Sequence, residues 1–254
     1  MKPDKKQGKR LKKVMFVGDL HAPYEDKRAV NLVLRVGEAW KPDVLAMLGD
    51  FSDFYSVSDH LKDPARAGRL RWELEQSNLL LDRFDALGAT RKIFVAGNHE
   101  DRYDRYLQRQ APELHGVVDI PGALRLRQRR WEYVPYRDHT RLGKLYLTHD
   151  VGVAGRNAVF RCLEAYEHSV LTGHTHRLAY IVEGNAAGEY KVSAQFGWLG
   201  DVNKIDYMHR VQAKKNWALG FGIGYLDEDT GIVYVTPVPI VRYTCVVEGK
   251  LYKA

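Results

Sequence analysis

Cysteine is scarce in this sequence, and long apolar runs are missing from it. The chain has two cysteines, Cys162 and Cys245, and neither belongs to a C-x-x-C pair of the kind that binds zinc or performs redox chemistry. No stretch of about 18 or more apolar residues occurs, and the N-terminal segment lacks the apolar core of a signal peptide. We therefore expect reduced thiols, a cytoplasmic protein and no membrane partner.

Excess positive charge is confined to the N-terminus. The formal net charge is +7, but seven basic residues stand opposite the single acid Asp4 within positions 1–13, so the remainder is almost neutral. A block of like charges indicates a solvated tail, and a nucleic-acid-binding arm is the alternative. We predict a basic flexible tail over residues 1–13 and a single domain over residues 14–254.

Apolar runs alternate with segments of helical periodicity in the first half of the chain. Strand-like runs at 14–19, 43–50 and 91–101 are separated by helical patterns at 26–40 and 68–87, which predicts βαβ units and a parallel sheet. Short runs in the C-terminal third, separated by Gly, Asn or Asp, indicate antiparallel hairpins. The expected fold class is α/β: a four-layer α-β-β-α sandwich, with two mixed sheets packed face to face and helices outside.

Residue types that bind metals close almost every strand-like run of the first 176 residues. Ligands of open α/β sheets bind beyond the carboxyl ends of the strands, so these residues should be neighbours in space. A carboxylate can bridge two cations, imidazole suits transition metals, and an amide oxygen is a neutral ligand. Singly, each Asp also fits a helix cap or turn, and each His fits a core or surface position with its hydrogen bonds satisfied. Together they predict a two-metal site drawn from Asp19, His21, Asp50, Asn98, His99, His149, His174 and His176.

Five short blocks carry a resemblance to a known family. In chain order they read GDLH, GDFSD, GNHED, LTHD and GHTH, between residues 18 and 176. This series resembles the calcineurin-like metallophosphoesterase family, whose pattern is D-x-H, G-D-x-x-D, G-N-H-[DE], H and G-H-x-H. The likeness covers roughly residues 14–177, and it is the complete set of blocks that makes it specific.

The resemblance assigns the ligands by motif position. It implies two divalent metal ions, the first held by Asp19, His21, Asp50 and His176, and the second by Asp50, Asn98, His149 and His174. Asp50 is then the bridging ligand. His99 takes the place of a catalytic histidine near the leaving group, and Glu100 and Asp53 support the ligands from behind. If residues 174–176 are extended, His174 and His176 face the same side, and Thr175 faces away.

One position departs from the family pattern. Asp150 follows His149 where the family commonly has glycine, and its side chain could crowd the site or add charge to it. This makes His149 the least secure ligand, with His139 as its competitor. We prefer His149 because it closes a β-run, as the other ligands do.

The resemblance also implies a reaction, an in-line attack on phosphorus by a hydroxide held between the two metals. His99 would protonate the departing oxygen or stabilise its charge. Histidine and carboxylate ligands without cysteine fit several metals. We favour manganese and leave iron, zinc, cobalt and nickel open.

Substrate class depends on the loops over the metals. The segments 51–67, 100–130 and 195–217 combine aromatic and basic residues, which slightly favours phosphodiester, nucleotide or nucleic-acid substrates over a phosphomonoesterase or protein phosphatase. Alternatively, these aromatics pack against the sheet edge. Two other classes are a nucleic-acid-binding protein with an incidental metal site and a metal-free interaction scaffold, although the complete ligand set argues against the scaffold. The sequence predicts no oligomeric state.

Overall fold

The computed structural model of the protein describes residues 11–63, 68–205 and 216–254. Residues 1–10 of the predicted basic tail lie outside these ranges. Among the residues described, no helix combines the length and the apolar composition that crossing a membrane requires.

Strands occupy much of the described chain. They are β1 (Lys12–Val17), β2 (Val44–Leu48), β3 (Arg91–Val95), β4 (Glu132–Val134), β5 (Thr140–Leu142), β6 (Leu145–Leu147), β7 (Val170–Thr172), β8 (Leu178–Gly184), β9 (Tyr190–Phe196), β10 (Gly220–Leu226), β11 (Val233–Pro239), β12 (Thr244–Val247) and β13 (Lys250–Lys253). The helices are α1 (Lys27–Trp40), α2 (Leu70–Asp85), α3 (Asn98–Gln110), α4 (Ile120–Ala123) and α5 (Ala158–Tyr166).

The first strand corrects the predicted tail boundary. Lys12 and Lys13 belong to β1 and not to the tail, so the strand starts two residues before the predicted domain start at residue 14. The backbone N–H of Lys13 donates to the Asp43 carboxylate at 2.9 Å, and the Lys13 ammonium lies 5.1 Å from the centre of the Trp40 ring. These contacts give both lysines a place in the sheet that their charge alone does not predict.

The strands form two large mixed sheets and a hairpin. The first sheet has the order β11-β10-β1-β2-β3-β4. Strands β1 to β4 run parallel to one another, and β10 pairs antiparallel with both β1 and β11. The second has the order β5-β6-β7-β9-β8, with β6, β7 and β9 parallel. Strands β12 and β13 form a separate two-stranded antiparallel sheet. The mixed topology confirms the predicted parallel core and the C-terminal hairpins.

The two sheets pack face to face through an apolar layer. It contains Phe16 and Ala46 from the first sheet and Leu171 and Phe196 from the second, with the two phenylalanine rings 5.6 Å apart. The opposite face of the first sheet packs against α1 and α2, and α5 packs on the outer side of the second sheet. These four layers confirm the predicted fold class.

Helix α1 shows how the local sequence sets the layers. The Asp26 side chain accepts hydrogen bonds from the N–H groups of Arg28 and Ala29 at 3.0 and 3.1 Å, which caps the first turn. The helix ends at Trp40, where Lys41 takes a left-handed conformation before Pro42. Its apolar stripe then lies on the sheet, as the periodicity predicts.

We expected segment 100–130 to be a loop. The segment instead begins with most of α3. The helix was missed because its buried side consists mainly of polar residues: His99, Glu100, Arg102, Tyr103 and Leu107. Such a face has no apolar periodicity to detect. Its first turn instead belongs to the candidate site.

Candidate metal centre

The carboxyl ends of neighbouring strands bring the predicted ligands together. Asp19 follows β1, Asp50 follows β2, and Asn98 opens α3 directly after β3. His149 and His174 follow β6 and β7 of the second sheet. Because the two sheets face each other, one edge of the sandwich collects side chains from both, as the strand-end pattern predicts.

A first cluster contains Asp19, His21, Asp50 and His176, whose ligand atoms all lie within 4.8 Å of one another. Nε2 of His21 is 3.1 Å from Nε2 of His176, and that atom is 3.4 Å from Oδ1 of Asp19. The four residues are at most 5% exposed. Two carboxylates and two imidazoles thus converge in a site shielded from water.

A second cluster shares Asp50 with the first. Its ligand atoms come from Asp50, His149 and His174, again within 4.8 Å of one another. Oδ1 of Asn98 lies 3.1 Å from Nε2 of His149 and 2.8 Å from Nδ1 of His174. Nε2 of His149 is also 3.3 Å from Oδ2 of Asp50. The structure therefore brings together both predicted sets of residues.

Hydrogen bonds orient two of the imidazoles. Nδ1 of His149 lies 2.8 Å from the carbonyl oxygen of Leu48, which can only accept, so the ring proton sits on Nδ1. Nδ1 of His21 lies 3.2 Å from Oδ2 of Asp53. Both arrangements turn Nε2 of the ring toward the cluster, as expected of metal-binding histidines.

Glu100 braces the backbone behind the ligands. Its carboxylate accepts hydrogen bonds from the N–H groups of Gly97, Asp50 and Ser52 at 2.7, 3.0 and 2.9 Å. Burial, together with the charge of Asp50, raises the pKa of Glu100 to about 7. The one side chain links the loop after β2 to the first turn of α3, behind the two clusters.

Charge at the centre requires compensation. Asp19, Asp50, Asp53 and Glu100 are each at most 3% exposed, and Arg102 lies beside Asp53, 3.6 Å from its Oδ1. Burial and the neighbouring Asp50 raise the pKa of Asp19 to about 6. Burial opposes the protonation of His149, yet the adjacent Asp50 and Asp19 carboxylates raise its pKa to about 10. A divalent cation would take the place of these protons between the carboxylates and imidazoles, so the residues present fit the metals implied by the family.

Five residues of the two clusters have a strained backbone. The φ angles of Asp19, His21, Asp50, His174 and His176 lie between 48° and 70°, in the left-handed region that non-glycine residues rarely adopt. Each such residue costs about 1–3 kcal/mol unless its surroundings hold it. Residues 174–176 are therefore not extended, and the predicted i, i+2 geometry is wrong. Thr175 does point away, but because of a tight turn.

Buried polar residues of the second sheet hold that turn. Oγ1 of Thr175 donates to Oε1 of Gln195 at 2.8 Å, and Nε2 of Gln195 donates to Oγ1 of Thr172 at 3.0 Å. All three residues are at most 5% exposed. Sequence reasoning missed Gln195, since only the pairing of β7 with β9 places it under the turn.

Close approach explains two of the glycines in the blocks. A Cβ on Gly97 would lie 2.1 Å from Oδ1 of Asp50. Gly49 has a φ of 92°, and a Cβ there would lie 2.2 Å from Nδ1 of His149. The glycines let the strand ends approach the ligands more closely than any other residue could.

Asp150 hydrogen-bonds within its own turn. Its Oδ1 accepts a hydrogen bond from the N–H of Gly152 at 2.7 Å, in the turn after β6. The competing residue His139 is exposed, and its ring packs 5.2 and 5.6 Å from those of Tyr146 and Tyr166. The geometry therefore favours His149 over His139 as the member of the second cluster.

His99 and Arg102 form a hydrogen-bonded pair beside the clusters. Nδ1 of His99 is 2.9 Å from the carbonyl oxygen of Asp53, and Nη2 of Arg102 is 2.9 Å from Nε2 of His99. A second guanidinium nitrogen, Nη1, donates to the same carbonyl at 3.0 Å. Both residues line an open pocket of about 350 Å³ next to the ligands.

The predicted substrate loops divide into packed and pocket-facing residues. Phe51 and Phe54 are fully buried, so the aromatics there belong to the core, whereas His60 lines the pocket. Arg105 and Arg109 both pair with Asp59. Other residues of the last loop lie outside the described ranges: Tyr207, Arg210, Lys214 and Lys215.

Two arginines of the basic segment 125–130 form ion pairs. Arg127 pairs with Asp119, and Arg129 lies 2.6 Å from carboxylate oxygens of both Asp82 and Asp85. These ion pairs provide no evidence for a phosphate-binding surface.

Comparison with known proteins gives one family and several distant relatives. The family model described as calcineurin-like phosphoesterase matches residues 12–178. The Gene 54 proteins of Mycobacterium phages D29 and L5 are 26% and 25% identical, each match covering 95% of this chain and 99% of the relative. Vacuolar protein sorting 29 from Cryptosporidium parvum is 14% identical with a TM-score of 0.48, covering 96% of this chain and 95% of that chain.

Proposed function

Because this chain belongs to the calcineurin-like phosphoesterase family, we propose that it hydrolyses phosphate esters at a centre of two divalent metal ions. The observation that carries the proposal is the sharing of Asp50 by two buried clusters of ligand atoms. A shared carboxylate is what a pair of closely spaced cations requires. We propose manganese as the activating metal in vitro.

The ligand roles follow the two clusters. Asp19, His21 and His176 would hold one cation, Asn98, His149 and His174 the other, and Asp50 both. When bound, two such cations lower the pKa of a water between them and neutralise charge on phosphoryl oxygens. The protein residues then have three tasks: to keep the ligands rigid, to exclude bulk water and to place the ester in line.

We propose that His99 assists the leaving group by stabilising charge through Arg102. The carbonyl of Asp53 accepts from Nδ1 of His99, and the guanidinium donates to Nε2, so this arrangement leaves no proton on Nε2 to give. Burial also lowers the pKa of His99. Arg102 lines the pocket and provides the cation, while His99 orients it. Of the two roles predicted for His99, we thus favour charge stabilisation.

The substrate class is proposed as phosphodiester or nucleotide esters. Support comes from the pocket, where an aromatic ring and two arginines, Trp217, Arg102 and Arg177, stand around the ligands. Aromatic and cationic groups together suit a base attached to a phosphate. A phosphomonoesterase would use the same metals, and the experiment below separates the two.

We further propose that the chain from Lys12 onward acts as a single domain in the cytoplasm. The two sheets share one apolar interface, which supports a single folding unit. Cys162 and Cys245 are both buried free thiols, which suits a reducing compartment.

One panel tests the proposed function. Purified protein is loaded with Mn²⁺, Zn²⁺, Ni²⁺ or Mg²⁺, its metal content is measured, and it is assayed on an aryl monoester, an aryl diester, cyclic nucleotides, DNA and RNA. We expect two metals per chain and turnover of diesters. Absence of bound metal would contradict the proposal and favour a scaffold. Two metals with monoester turnover alone would overturn only the substrate class.

A further inference from the structure

The pocket beside the clusters has a wall that the metal chemistry does not require. Its lining includes Asn98, His174 and His176 from the clusters, together with Trp217 and Arg177. Neither of these last two residues belongs to the ligand clusters. A group bound against them would lie next to a phosphate held at the centre.

Trp217 continues an aromatic stack that begins at a proposed ligand. The His176 ring stacks on Trp198, with centroids 4.9 Å apart and planes 13° apart. Trp217 approaches both rings edge-on, 4.3 Å from His176 and 4.6 Å from Trp198. Trp198 is only 3% exposed, whereas Trp217 is half-buried and borders the pocket. Trp217 is therefore the member of the stack that can meet a ligand.

Backbone hydrogen bonds fix the position of Trp217. The N–H of Ala218 donates to the carbonyl of His176 at 3.0 Å, and the N–H of Trp198 donates to the carbonyl of Ala218 at 3.1 Å. Ala218, the residue after Trp217, is thereby hydrogen-bonded to the backbone of both His176 and Trp198. A ring held in this way loses little freedom when a flat group stacks on it.

Arg177 adds a cation to the same wall. Its Nη1 donates to the carbonyl of Ala154 at 3.1 Å, which fixes the guanidinium beside the pocket. Its Nε is buried and makes no hydrogen bond among the described residues. A planar cation and an indole that line the same pocket suit a ligand that combines an aromatic ring with hydrogen-bond acceptors.

We propose that Trp217 and Arg177 form a base-binding subsite, in which the nucleobase of a nucleotide ester stacks on Trp217 while its phosphate lies over the metals. This inference rests on the proposed function, because it takes the phosphate to bind at the clusters. Stacking on one aromatic side chain strengthens binding by roughly tenfold or more per base, and it tolerates different bases. The subsite would therefore select nucleotides over sugar phosphates without strong preference for one base.

Binding of AMP and of ribose 5-phosphate to the Mn²⁺-loaded full chain tests the subsite by calorimetry. The two probes share a phosphate and a ribose and differ in the base. We expect wild type to bind AMP about tenfold more tightly. In Trp217→Leu the ratio of AMP affinity to ribose 5-phosphate affinity should fall to within about twofold, through loss of AMP affinity alone. Trp217→Phe should keep most of the preference for AMP. Equal affinities in wild type, or an unchanged ratio in Trp217→Leu, would overturn the inference.

Two controls keep the outcomes separate. Trp72 lies on α2 with 40% of its surface exposed, and Trp72→Leu should leave the ratio unchanged. Metal content is measured in each variant, because Trp217 touches the His176 ring. If no phosphate ester is turned over but the base preference depends on Trp217, the proposed function fails and the subsite stands. If esters are hydrolysed but the base preference is absent, the subsite alone fails.

Discussion

Arg102 donates a guanidinium N–H to Nε2 of His99 across 2.9 Å, one turn along the same helix. The pair should work as one unit on the leaving group. We expect His99→Ala and Arg102→Met each to lower kcat by about 100-fold, the order of loss for one electrostatic donor, with metal content near normal. The double variant should lose little more than either single one, because removing either partner already disables the other.

Arg105 provides the matched control for this pair. It lies on the same helix but is 42% exposed and pairs with Asp101 and Asp59, so Arg105→Met should keep full turnover. Losses that multiply in the double variant would show that His99 and Arg102 act independently. Loss of metal in His99→Ala would mean that His99 is a ligand or a structural residue.

Asp50 should control both metals at once. Asp50→Asn replaces a charged, shared ligand by a neutral one, so we expect the metal content to fall from two ions per chain to less than one and turnover to fall with it. Elemental analysis after gel filtration measures the first effect. Asp82→Asn, on the exposed side of α2, should change neither. Two metals and full activity in Asp50→Asn would contradict the bridging role.

Metal removal should destabilise the fold. The buried carboxylates lose their compensating charge when the cations leave, and a ligand at about 100 times its Kd stabilises the folded state by about 2.7 kcal/mol. A chelator should therefore lower the melting temperature by about 5–10 °C. Scanning calorimetry with and without Mn²⁺ measures the shift. The Asp50→Asn variant should show little shift in melting temperature. A shift equal to that of wild type would mean that the metal binds elsewhere.

Gly97 should tolerate no side chain. In Gly97→Ala the new methyl group would lie 2.1 Å from Oδ1 of Asp50, so either that ligand or the start of α3 must move. We expect a loss of stability of about 1–3 kcal/mol and a metal affinity at least about tenfold weaker. Gly155→Ala is the control, because a Cβ there meets no atom within 4 Å. Unchanged metal titrations in Gly97→Ala would disprove the close-packing argument.

Glu73 should make stability depend on pH. Burial raises the pKa of this α2 carboxyl above its ordinary value of 4.5, although Ser56 donates hydrogen bonds to it. Because the pKa is raised in the folded state, this carboxyl contributes to the unfolding free energy at low pH. That contribution is lost as the pH rises above about 4.5 and through the raised pKa. The unfolding free energy of wild type relative to Glu73→Gln should therefore fall with rising pH. Glu75→Gln, which is 63% exposed, should show no such trend, and a constant difference for Glu73→Gln would refute the prediction.

The sequence predicts the strands and the ligands because both depend on local patterns. Apolar runs ending in Gly-Asp or Gly-Asn mark where β1, β2 and β3 stop, and topology then brings those ends together. Local patterns do not predict the polar support, and Glu100 is assigned to it only through the family resemblance. Glu100 and Arg102 act through partners about 50 residues away in sequence, and Gln195 acts through sheet pairing. Left-handed backbone at Asp19 or His176 is likewise invisible, since no local preference encodes it and only the assembled site holds it.

Each sheet contributes only part of the ligand set. Asp19, His21, Asp50 and Asn98 follow strands of the first sheet, and His149, His174 and His176 follow strands of the second. Neither sheet alone offers the complete proposed set, so a metal would gain all of its proposed ligands only once the two sheets have docked. In a refolding experiment, metal uptake would therefore time the docking of the sheets, separately from the formation of either one.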